Sequence, residues 1–161
     1  VNAATVDALL VAAVVTNGLL AGLFFAFACA ITPALRRVDD RTYVRAFRAI
    51  NSSILNPVFM VVFLGAPATA IIGAIARVGA DVPHSSGWVI AGGILSALTF
   101  LITAMANVPL NQGLDRADVD TDAQQHAARE TFEARWNRWN LARTLTSALC
   151  ILSLTMTITA S

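Results

Sequence analysis

Apolar residues run along this chain in four long blocks, and the charges collect between them. No Asp, Glu, Lys or Arg lies between Asp7 and Arg36, between Arg48 and Arg77, between Asp81 and Asp115, or after Arg143. Each of the first three intervals exceeds the roughly 20 apolar residues with which a helix crosses a bilayer core. The last is shorter, and Trp139 to Leu141 extend it. A membrane β-barrel would instead show alternating segments of about 10 residues; none is present. The pattern predicts an all-α integral membrane protein, a four-helix transmembrane bundle in a single domain over 1–161. The helices are expected near 6–31, 56–76, 88–108 and 131–158.

Local signals refine these elements. In the first helix, Gly18 and Gly22 have the small-xxx-small spacing that lets helices approach closely in lipid. Thr32-Pro33 is expected to end it. Residues 34–50 alternate Leu35, Val38, Tyr43, Phe47 and Ile50 with Arg36, Arg37, Arg41, Arg45 and Arg48. Such a segment predicts a short amphipathic helix lying at the headgroups. Pro57 suits the first turn of the second helix, and Pro67 is expected to kink it. A short loop with Gly79, Asp81, Pro83, His84 and Gly87 follows. Pro109 is expected to close the third helix. Residues 112–130, with Asp115, Asp118, Asp120 and Asp122, form the longest polar stretch. The fourth helix is expected to start near Thr131 outside the bilayer.

Composition supports the membrane reading. Only 13% of residues are charged, against about 25% in soluble domains, and mean hydropathy is +0.66. The net charge of +1 points to no partner, and no nucleic-acid partner is expected. Every basic residue is Arg, which with the Ala-rich composition reads as codon bias in a GC-rich genome and suggests a bacterial inner membrane. Arg crowds the first connector and recurs at Arg116, Arg129, Arg135 and Arg138, while the second connector carries Arg77 alone. The positive-inside rule places connectors 34–50 and 109–135 in the cytoplasm and both termini outside. Trp136 and Trp139 then fall at the cytoplasmic interface. The first apolar block is too long for a signal peptide and has no Arg before it, so it reads as a mature helix. Cys29 and Cys150 both lie in apolar blocks and read as small hydrophobes.

The candidate chemistry gathers at one end. Asn107, Pro109 and Asn111 mark the end of the third helix, where the amides could cap the backbone or bind a ligand. On the fourth helix, Trp136, Asn140, Arg143 and Ser147 follow i, i+4, i+7, i+11 spacing and share one face. Arg143 lies about a turn inside the bilayer, where an ionisable group faces a cavity or partner, or snorkels to the headgroups. Asn17, and Asn51 or Asn56, are further amides on or near the helices; glue between helices is the commoner role. His126 lies in an exposed acidic stretch and could carry protons near neutral pH, although an ordinary surface His is commoner. His84 lies at the opposite face. No HExxH, GxSxG, CxxC, Walker A or GxGxxG context occurs, and no metal site is expected. Haem or copper stays open, though no His lies inside a helix on these boundaries.

Three stretches carry a resemblance: GLLAGLFFAFACAITPALRRVD at 18–39, INSSILNPVF at 50–59, and the pair NVPLNQGL at 107–114 with FEARWNRWNLART at 132–144. Together they resemble the small four-helix membrane proteins of the DUF1772, or anthrone oxygenase-like, family. The resemblance implies an oxygenase that converts anthrone-type substrates to quinones with dioxygen, without a conventional cofactor. It implies functional positions at Asn107, Pro109, Asn111, Trp136, Asn140 and Arg143, with catalytic roles expected for Arg143, Asn107, Asn111 and Asn140 and a substrate contact for Trp136; Asn17 and Asn56 are further candidate substrate contacts. Asn140 stands where relatives often have His, so the resemblance assigns no base there. His126, Glu133 and Asp115 are the base candidates. Two other classes remain open: a membrane oxidoreductase using haem, copper or quinone, and a non-enzymatic membrane subunit or lipid-binding partner. Oligomeric state, a homo-oligomer included, is also open.

Overall fold

A computed structural model of the chain describes residues 2–79 and 86–159; His84 lies outside them. The described residues are helical throughout their elements, with no strand among them. Helix α1 spans Ala3–Leu35, α2 Asp40–Ile54, α3 Pro57–Gly79, α4 Ser86–Arg116 and α5 Asp122–Thr159. Four of them, α1, α3, α4 and α5, are long and apolar enough to cross a membrane. The protein is an integral membrane four-helix bundle.

Each long helix packs against two others, in the ring order α1, α3, α4, α5. Neighbours run antiparallel: Leu10 near the start of α1 meets Gly73 near the end of α3, and Gly92 near the start of α4 meets Leu154 near the end of α5. In lipid this association rests on close packing rather than on burial from water. The glycines that permit close approach are Gly73, Gly92 and Gly93. A Cβ on Gly92 would lie 2.7 Å from Leu154 Cδ2, and one on Gly93 would lie 3.5 Å from Ala74 Cβ. A Cβ on Gly18 or Gly22, the expected packing positions, would meet nothing within 4 Å.

Both prolines expected to stop a helix are carried through it. A π-helical turn spans Phe27–Ile31 just before Pro33, and another spans Thr103–Asn107 just before Pro109. A proline ring clashes with the carbonyl four residues back, here Cys29 and Met105. Each of these sits at the middle of a widened turn, which makes room for the ring. The Thr32 hydroxyl also donates to Phe27 O at 2.9 Å. So α1 continues to Leu35, and α4 continues to Arg116 rather than closing at Pro109.

The polar stretch before the fourth helix is mostly helical too. Thr121 and Gln124 form a capping box: Thr121 Oγ1 accepts from Gln124 N at 3.3 Å, and Gln124 Oε1 accepts from Thr121 N at 3.0 Å. Helix α5 therefore starts at Asp122, and His126 lies inside a helix, contrary to the expected boundaries. Asp39 caps α2, its carboxylate accepting from Thr42 N at 2.9 Å. Asn56 caps α3 by accepting from Phe59 N at 3.0 Å, with Pro57 as the first helical residue. Helix α3 runs on through Pro67.

Helix α2 docks its apolar face on the bundle. Tyr43, Val44 and Phe47 are buried with Phe27, Leu114, Phe132 and Trp136. The opposite end of the bundle has a different core, of Val6, Leu10, Ala13, Ala70, Ala74, Val89, Cys150 and Leu154.

Candidate functional site

The buried face of α5 carries Trp136, Asn140, Arg143 and Ser147 in successive turns. Trp136 is turned inward and buried, and of the two only Trp139 is exposed. Phe27 and Phe47 flank the Trp136 ring, with centroids 5.3 and 5.0 Å away, and Trp136 Nε1 donates to Asn111 Oδ1 at 2.8 Å.

Arg143 is 7% exposed. Its Nε and Nη2 donate to Asn140 Oδ1 at 3.1 and 2.9 Å. Its guanidinium carbon stands 4.1 Å from the Phe24 ring centroid and 5.1 Å from that of Trp136. No carboxylate pairs with it among the described residues. Two aromatic faces and one amide oxygen are thus its partners, a setting in which a desolvated cation–π contact is worth about 2 kcal/mol. Asn140 holds the arrangement to α1, donating from Nδ2 to Phe24 O at 3.0 Å.

Asn107, at the end of the α4 π turn, is fully buried. Its Nδ2 makes a long 3.4 Å bond to Trp136 O, and its Oδ1 has no partner among the described residues. π turns recur at functional sites, and here the irregular turns of α1 and α4 both border this cluster.

Arg143, Trp136 and Asn111 line one cavity of about 170 Å³, with Asn51, Thr103, Phe24, Phe27, Phe59 and Phe63 among its other walls. The volume lies below the roughly 300–1,000 Å³ of drug-sized ligand pockets. The cavity walls reach Leu55 and Met60 at the α2–α3 corner, both apolar and exposed. A larger hollow of about 690 Å³ lies elsewhere, between the end of α4 and the start of α5, and does not include Arg143. The smaller cavity is the better candidate, because buried polar groups converge on it.

Other candidates lie apart. Asn17 donates to Ala66 O at 3.3 Å and accepts from Ser96 Oγ at 2.8 Å, tying α1 to α3 and α4 without lining the cavity. Asn56 is the exposed cap of α3. His126 and Glu133 belong to an ionic clasp. His126 Nδ1 donates to Asp40 Oδ2 at 2.8 Å, and Glu133 accepts from Arg129 and Arg36 at 2.7 and 3.2 Å. Arg129 also donates to Val38 O at 2.9 Å and Asp40 Oδ1 at 3.0 Å, fastening α2 to α5. The hydrogen bond from His126 holds the Asp40 carboxyl below its usual range, with Arg129 adding to the effect. Burial pushes the Tyr43 phenol well above its ordinary value. Asp115 is exposed. None of the three base candidates lines the cavity. Among the described residues no group of three His, Cys, Asp or Glu could hold a metal ion.

A family model described as anthrone oxygenase matches residues 57–153 of the chain. The matched span contains Asn107, Asn111, Trp136, Asn140 and Arg143, and leaves out Phe24 and Asn51. No curated protein and no solved structure matches.

Proposed function

This chain belongs to the anthrone oxygenase family, and from that premise we propose that it is a membrane oxygenase acting with dioxygen on a flat aromatic ketone of anthrone type. One observation carries the reading: Arg143, buried against two aromatic rings without an acidic partner among the described residues, lines a cavity of about 170 Å³.

An anthrone has a methylene flanked by two aromatic rings and in conjugation with a ketone. Loss of one methylene proton gives an anion whose charge sits largely on the ketone oxygen. The Arg143 guanidinium would stabilise that oxyanion, and a positioned cation favours ionisation of a neighbouring acid. Trp136 and the phenylalanines would sandwich the rings. With no carboxylate or imidazole on the walls, the proton leaves to water at the headgroup level. The anion is electron-rich enough to reduce dioxygen. One electron passes to oxygen, the radical pair joins at the former methylene carbon, and the resulting peroxide takes up a proton. Loss of the remaining carbon-bound hydrogen as a proton, with cleavage of the O–O bond, leaves a second ketone and releases water. One oxygen atom ends in the quinone and the other in water. The substrate supplies all the electrons, so this chemistry needs no bound cofactor.

Asn107 and Asn111 would support the site by fixing Trp136 through its carbonyl and indole N–H. The test is oxygen uptake by purified protein in lipid with an anthrone. Arg143→Ala and Asn107→Ala should abolish uptake while protein yield is kept. Full activity in both variants would sink the assignment, and a Soret band or stoichiometric metal in the active protein would overturn the cofactor-free mechanism.

The Arg distribution supports an orientation with connectors 34–50 and 109–135 in the cytoplasm and both termini outside. Single cysteines at Arg41 and Ser86 should then label from opposite sides of sealed vesicles; labelling from one side contradicts it.

A further inference from the structure

Asn51 lies three residues before the end of α2 and is 7% exposed. It lines the same cavity as Arg143, Asn111 and Trp136, but from a different helix. Its Nδ2 is shut off from solvent and has no hydrogen-bond partner among the described residues. Leaving a buried amide unpaired is costly. Among the buried amides, Asn17 and Asn140 tie helices together, while Asn107 too keeps an unpaired Oδ1 without lining the cavity. Around Asn51 the inward face of α2 is apolar, with Val44, Phe47, Ile50 and Ile54 as near neighbours along the helix. A leucine at 51 would fill this place without an unpaired group.

We propose that Asn51 is a specificity-determining residue that binds a second oxygen substituent of the ring ligand, while Arg143 takes the first. The inference rests on the anion-binding reading of this cavity and extends it to the ligand's substitution pattern. An amide offers two donors and an acceptor, and a half-turn about its terminal bond presents either edge to the cavity. It can therefore match a ketone or a phenol oxygen. The ligand class is a hydroxylated polycyclic ketone, with its oxygens spaced to reach α2 and α5 together. A ring system lacking the second oxygen leaves the Asn51 amide unpaired, and sites built around a buried polar group reject such analogues.

The experiment measures anaerobic binding to the full-length protein in lipid nanodiscs, with anthrone and a dihydroxyanthrone as probes. Wild type should bind the dihydroxy compound about tenfold more tightly, the worth of one net hydrogen bond. Asn51→Leu should bind both compounds equally, at an affinity near that of wild type for anthrone. Asn51→Ser, smaller and still polar, should keep part of the preference and serves if the leucine variant misfolds. Retention of the full preference in a folded Asn51→Leu protein, or its loss in Arg143→Gln alone, would overturn the role of Asn51. If Arg143→Gln binds both probes as tightly as wild type, the anion-binding reading fails instead. Binding of neither probe to wild type overturns both.

Discussion

The two ends of this bundle are built differently. At one end, Val6, Leu10, Ala74, Val89 and Leu154 form an aliphatic core, and glycines bring the helices into contact. Its shapes are matched so closely that a Cβ on Gly92 would fall 2.9 Å from Leu154 Cγ. At the other end, Arg143 lies against Phe24 and Trp136, Phe27 and Phe47 pack on Trp136, and the amides of Asn51 and Asn107 keep unpaired atoms. Both helices that end there carry a π turn. At the first end the described core residues are aliphatic and closely packed. The second holds unsatisfied polar groups that packing alone would have replaced, and it does so where a cavity opens. Buried polarity without partners marks the working end; tight packing marks the scaffold.

Substitutions at the two ends should separate accordingly. Arg143→Gln has the largest expected effect, a loss of about 10²–10³ in turnover, comparable to removing one donor from an oxyanion hole. Oxygen uptake set against the amount of folded protein measures it. Gly92→Val at the opposite end should do the reverse. Overpacking against Leu154 should cost about 1–3 kcal/mol of stability, seen as a lower melting temperature in detergent, with turnover per folded molecule unchanged. A Gly92→Val protein that melts normally and loses activity would collapse the distinction between the ends.

A smaller effect is expected from Thr121→Ala, which removes the cap of α5. Caps of this kind are worth about 1 kcal/mol, and the loss should show as faster amide hydrogen exchange over the first turns of α5. The smallest effect concerns acid. Asp40 has a depressed pKa in the folded protein, chiefly through the hydrogen bond from His126. Its stabilisation is fully present above its unfolded value of about 4 and is lost as pH falls through the lower folded value. Lowering pH through that range should therefore loosen α2 from α5, read as increased proteolysis of α2. Asp40→Asn should remove that acid dependence. The exposed clasp makes the change small.

The four spans were legible in the sequence because charge is absent over whole helix lengths, a signal that needs no tertiary context. The common face of Trp136, Asn140 and Arg143 was legible for the same reason, since helical spacing is local. Pro33 and Pro109 misled, because the rule that proline ends a helix assumes a regular turn before it, and a π turn relieves the clash. The start of α5 was written as Thr121-Asp-Ala-Gln124, a capping box overshadowed by the surrounding acidic residues. Gly18 and Gly22 had the spacing for close packing, yet contact depends on which face meets a neighbour. Residue type alone makes His126 and Glu133 base candidates. Helical spacing offers Arg129 to Glu133, but it could not show that Asp40 and Arg36, distant in sequence, complete a clasp that holds both away from the cavity. Asn51 and Asn56 looked alike until the docking of α2 turned one inward and left the other as a cap.

The central claim is that a buried arginine with no carboxylate partner among the described residues makes this cavity an oxyanion site for an oxygen-consuming reaction. The direct measurement is oxygen uptake and quinone formation by wild-type and Arg143→Gln protein in nanodiscs, with an anthrone as substrate. The account predicts one dioxygen consumed per quinone formed by wild type, and a rate near the uncatalysed background for Arg143→Gln at equal folded protein. Equal rates in the two proteins, or no uptake above background by wild type, would contradict it.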